Sequence, residues 1–145
     1  MKFNTQKFLQ IWWCKNYNIA PLVRRGVIGQ GSLYCVGGCG SEESISRLFF
    51  KCPVFSGVWY AICQWFRIYS AFQNEGLQHL EQFEGLVGGC RAFSNRVTTV
   101  WFAGIWSIWK TRNQKLFQNK EICLEKMVAE VKMNSWYWLH FKKSA

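Results

Sequence analysis

Hydrophobic residues recur at helical spacing over three stretches of the chain. Behind Pro53, a residue suited to the first turn of a helix, come Phe55, Val58, Trp59, Ile62 and Phe66. A longer helix is predicted from Ser94 or Asn95 through Phe117. Its first half is apolar on every side (Val97, Val100, Trp101, Ile105, Trp106, Ile108, Trp109) and its second half turns basic. A last helix is predicted from about Glu121 to Phe141, with Leu124, Val128, Val131 and Trp138 on one stripe. Gly76, Gly85, Gly88 and Gly89 punctuate a more polar stretch that leaves room for a short helix near Leu77 to Phe83.

Upstream the pattern is shorter in range. Residues 4 to 15 are an aromatic segment with Trp12 beside Trp13, and Leu22 to Val27 reads as a short helix. Ser32 to Cys35 and the residues after Cys39 suit two short strands, and Ser44 can cap a turn that presents Leu48 and Phe49 to the core. The expected fold class is mainly α: a small knuckle-like β-hairpin packed among helices, followed by a long helical pair.

Charge and composition narrow the function classes. The chain carries 18 Lys and Arg against 8 acids, a net charge of +10, and every acid is Glu. Two-metal polymerase and nuclease chemistry needs clustered carboxylates. Here Glu42 and Glu43, Glu75, Glu81 and Glu84, and Glu121, Glu125 and Glu130 form only local groups of the kind that solvated surfaces carry. Neither a Gly-x-Ser-x-Gly nor a His-Glu-x-x-His string occurs, so a non-catalytic protein is expected. The longest apolar run, Val97 to Trp109, is too short to span a bilayer, and no membrane partner is expected. Seven cysteines without a secretory leader suggest reduced thiols in an intracellular protein, with a nuclear location among the alternatives.

Three of those cysteines carry candidate chemistry. Cys35 and Cys39 flank Val-Gly-Gly, a spacing that lets backbone wrap around a metal, and Cys52 precedes Pro53 at a helix start, where a thiolate is favoured. Structural zinc takes four Cys or His ligands, yet the segment between Cys39 and Cys52 holds neither. Water, His79, His140 or Cys63 are the alternatives for a fourth position. Packed thiols acting as small hydrophobes are the alternative to a metal site. Cys14, Cys63, Cys90 and Cys123 show no paired metal spacing, and His79 and His140 read as surface or packing residues.

Basic residues offer a second candidate site. Arg24, Arg25, Lys51, Arg67, Arg91, Arg96 and the Lys110, Arg112, Lys115 run can form a phosphate-attracting surface or a merely solvated one. Arg24, Arg25, Lys110, Arg112 and Lys115 are the expected nucleic-acid contacts. Trp109 and Phe117 could stack on bases, although aromatic residues on such a helix more often face the core.

The order of these residues resembles a known family. Pro21-Leu-Val-Arg-Arg-Gly-Val-Ile28, Cys35, Gly38-Cys39-Gly40, Glu43-Ser44, Leu48-Phe-Phe-Lys-Cys52-Pro53 and Val58-Trp59 look like the zinc-binding domain of plant non-LTR (LINE-type) retrotransposon reverse transcriptases. Ile108-Trp109-Lys110-Thr-Arg112-Asn113, Phe117-Gln118-Asn119 and Trp136-Tyr-Trp138 are similar to the segment that follows that domain. The resemblance implies an atypical N-terminal segment over 1–20, a zinc-binding-like domain over 21–68 and a helical extension over 69–145. It implies zinc on Cys35, Cys39 and Cys52 and an accessory role in positioning RNA or DNA, weakly and without sequence preference. The family places its His ligand in a His-Leu-Phe-x-x-Cys string; here that position is Arg47, and a guanidinium cannot donate to a metal. A metal-free structural or protein-interaction remnant is therefore the alternative expectation.

Overall fold

The computed structural model describes residues 34–44, 46–68, 76–86 and 91–141. The chain divides into two units, Met1–Tyr34 and Cys35–Ala145, and all described residues but Tyr34 belong to the second. The expectations for residues 1–20, for the Leu22–Val27 helix and for a strand from Ser32 concern positions outside the described residues.

Cys35–Ala145 is a helical unit. After the Cys35–Gly40 turn comes a single π-helical turn, Arg47–Lys51, and then α1 (Pro53–Phe66), α2 (Gly76–Leu86), α3 (Arg91–Gln118) and α4 (Leu124–Phe141). Fold class follows the hydrophobic periodicity, because Phe55, Val58, Trp59 and Ile62 are the buried face of α1. In the described part of the expected hairpin the chain turns back so that the Cys35 amide donates to the Ser41 carbonyl at 2.8 Å. No helix among the described residues is long and apolar enough to cross a membrane.

α3 is central. It packs against the π turn, α1, α2 and α4, which buries Val97, Val100, Trp101, Ala103, Ile105 and Ile108 along its middle. Gly104 permits its closest approach to α1: a Cβ there would meet the Trp59 ring at 3.0 Å. Around this crossing Phe50, Trp59, His79, Phe83 and Trp101 form one aromatic cluster, with Trp59 and Trp101 stacked at 5.9 Å between centroids. Its polar edges are satisfied internally. Trp59 Nε1 donates to the Phe49 carbonyl (2.6 Å) and Trp101 Nε1 donates to His79 Nδ1 (2.9 Å). On the opposite side Ser107 Oγ donates to the Met127 carbonyl of α4 (3.2 Å).

Helix ends are set by local chemistry. The Ser44 hydroxyl accepts the Arg47 amide (3.0 Å), as expected for a capping residue, and the turn it starts buries Leu48, Phe49 and Phe50. α1 closes on Arg67 in the left-handed conformation, with the Ile68 amide returning to the Cys63 carbonyl (2.9 Å). Asn119, also left-handed, follows α3 and separates it from α4.

Candidate metal centre

Two pieces of backbone bring the cysteines together. In the first, the Gly38 amide donates to the Cys35 carbonyl (3.0 Å), and Gly38 and Gly40 take positive φ values of 75° and 78°. That turn sets Cys35 and Cys39 at one site. In the second, Cys52 sits between the π turn and α1, with its amide on the Arg47 carbonyl (2.7 Å) and Pro53 opening the helix. The Sγ atoms of Cys35, Cys39 and Cys52 all lie within 4.8 Å of one another. Gly37 makes this approach possible, since a Cβ on it would stand 2.6 Å from Cys52 Sγ.

The arrangement can hold a metal ion. Thiolates sharing a tetrahedral zinc at 2.3 Å stand about 3.8 Å apart, a contraction that small side-chain rotations supply. Among the described residues no other group of three or more His, Cys, Asp or Glu side chains is so placed. His79 is buried in the aromatic cluster and Cys63 is a buried thiol that desolvation pushes up to about 11. His140 Nδ1 lies 2.8 Å from the Trp136 carbonyl on α4. None of the three belongs to the cysteine group.

Arg47 stands at its edge. Its Nε–H donates to Cys39 Sγ at 3.4 Å, from the position where the resemblance places a His. This bond draws Cys39 down to about 7, whereas burial pushes Cys35 up to about 12. Cys39 is therefore partly thiolate at neutral pH and half-buried, open to an arriving cation. Cys35 gives up its proton only when something positive replaces it, so loading the site releases protons.

The basic residues fare differently from the cysteines. Arg112, one of the expected nucleic-acid contacts, has a side chain only 6% exposed: its Nε–H donates to Glu43 Oε1 at 3.0 Å and Nη2 lies 2.8 Å from the same oxygen. A guanidinium so buried and so paired ties α3 to the segment before the π turn. Lys110 pairs with Glu130 of α4 at 3.0 Å, and Lys115 Nζ lies 3.4 Å from Asn119 Oδ1. Arg24 and Arg25 lie outside the described residues. The Arg112–Glu43 pair had no signal in the sequence, because its partners are 69 residues apart.

Comparison with protein-family models, with curated proteins and with solved structures finds no match.

Proposed function

We propose that the chain is a non-catalytic accessory module, derived from a LINE-type reverse transcriptase, that binds zinc through Cys35, Cys39 and Cys52 and engages RNA or DNA weakly and without sequence preference. The convergence of the three Sγ atoms within 4.8 Å supports the metal half of this reading. Three thiolates around a divalent cation leave one negative charge, and Arg47 beside Cys39 neutralises it. Water would complete the coordination.

Zinc content decides the metal half. Protein purified under reducing conditions is expected to hold one zinc per chain, and Cys35→Ser to hold none. Equal zinc in both proteins, or none in the parent, defeats the assignment. Arg47→His is a second expected outcome: Arg Nε and His Nε2 stand the same number of bonds from Cα, so the imidazole reaches the cluster. Affinity for zinc in a competitive chelator titration should rise roughly tenfold or more, about 1.4 kcal/mol. An unchanged affinity would mean that position 47 does not face the metal.

The hydrogen bond from Arg47 to Cys39 Sγ also favours a second reading, a metal-free remnant with a structural or protein-interaction role in which the guanidinium takes over the thiolate's partner. That reading expects a chelator to leave the helical signal and melting temperature unchanged.

A further inference from the structure

Of the phosphate contacts expected on α3, Arg112 is buried against Glu43 and Lys110 is paired to Glu130. The exposed aromatic face of α4 is placed differently. Lys132, Trp136 and His140 follow one another at four-residue steps, and Tyr137 and Phe141 form a parallel row beside them. Trp136 is 59% exposed, Tyr137 51% and Phe141 56%, values unusual for rings of this size. The rings are ordered into two flat pairs, Trp136 on His140 (4.3 Å between centroids, 28°) and Tyr137 on Phe141 (4.2 Å, 28°). Lys132 Nζ lies 5.3 Å from the centroid of Trp65, itself 43% exposed at the end of α1, which extends the face by one more ring and fixes a cation within it.

We propose that this face, Trp65 and Lys132 with the Trp136/His140 and Tyr137/Phe141 pairs, is a stacking site for single-stranded nucleic acid. It deepens the nucleic-acid half of the function proposed above and rests on that reading. Charge favours this occupant. Among the described residues after Glu130 the ionisable side chains of basic type are Lys132 and His140 and none is acidic, and the chain carries a net charge of +10, so the face suits a polyanion. Shape favours it too. From Lys132 to His140 the helix advances about 12 Å, and the ring pairs along it offer platforms on which unpaired bases can stack, whereas bases in a duplex already stack on one another. Lys132 supplies a phosphate contact between the rings.

Fluorescence anisotropy of a labelled oligothymidylate, titrated with the full 145-residue chain at low ionic strength, tests the site. Trp136→Ala and Tyr137→Ala should each weaken binding roughly tenfold to a hundredfold, and Trp136→Phe should restore most of it. Lys132→Gln should flatten the dependence of log affinity on log salt by about 0.7. The same strand in a duplex should bind more weakly. These side chains lie outside the core, so unchanged circular dichroism in each variant is the expected control. If the parent binds and the alanine variants bind equally well, the site is elsewhere and the nucleic-acid reading survives. If the parent binds no oligonucleotide, both fail while the zinc count is untouched. If instead sedimentation shows self-association that Trp136→Ala abolishes, with affinity for the strand unaltered, the face is an interface between copies of this chain and the proposal falls.

Discussion

Replacing Arg112 with Ala is expected to cost about 3–5 kcal/mol of folding stability. The Glu43 side chain is 1% exposed; its Oε1 accepts the Arg112 Nε–H and lies 2.8 Å from Nη2, while the other oxygen, Oε2, has no hydrogen-bond partner among the described residues. Taking away the cation leaves a carboxylate buried with neither charge nor solvent to balance it. Domains of this size have only about 5–15 kcal/mol of net stability, so the variant sits near the edge of folding. Replacing both partners, Glu43→Leu with Arg112→Met, should recover most of the loss, because an apolar pair of similar bulk owes no desolvation cost. Urea unfolding of the two single variants and the double variant gives the coupling directly. A loss below about 1 kcal/mol for Arg112→Ala would place the pair in the solvent-screened class to which Lys110 and Glu130 belong.

That ion pair marks where reading the sequence stops. The helices were legible, since burying one face imposes a period that Phe55, Val58, Trp59 and Ile62 display. The run of apolar residues from Val97 to Trp109 likewise marked a helix. α3 begins at Arg91, ahead of the expected Ser94 or Asn95, and α4 begins at Leu124, later than Glu121. On α4 the fully buried positions are Met127, Val131 and Ser135. The expected stripe shared only Val131 with them; Leu124 is partly exposed. Hydrophobicity alone could not reveal that shift, because Ser135 turns inward to bond the Val131 carbonyl while Trp136 and Tyr137 face outward. The cysteine site was legible for a different reason: local spacing and a helix-start proline place the three thiols without knowledge of the rest of the fold. Long-range pairings such as Arg112 with Glu43 leave no such mark. Charge on a helix is expected to face water, and only the tertiary structure shows that it does not.

Acid should destabilise the unit through His79. Burial among Phe50, Trp59, Phe83 and Trp101, none of which carries charge, lowers the His79 pKa to about 4 from an ordinary 6.5. Its Nδ1 accepts the Trp101 Nε1–H, so the ring is neutral with its proton on Nε2. As pH falls through 6.5 the unfolded chain takes up a proton that the folded chain refuses, and stability falls with it. Between pH 7 and 5 the loss is about 2 kcal/mol, growing to about 3 kcal/mol below pH 4, where the folded form is protonated too. His79→Gln keeps an acceptor for Trp101 and removes the titration. It should lower stability at pH 7 yet hold the remainder nearly constant down to pH 5. Urea midpoints at the two pH values, for parent and variant, check the sign and the size. A parent as stable at pH 5 as at pH 7 would mean that His79 is not enclosed by those rings. The consequence reaches the cysteines, because Phe50 packs on His79 at 4.6 Å between centroids and lies in the π turn that joins Arg47 to Cys52. Loosening of this cluster in mild acid would free the turn that delivers the third thiol, in addition to the protonation that opposes metal binding at every cysteine.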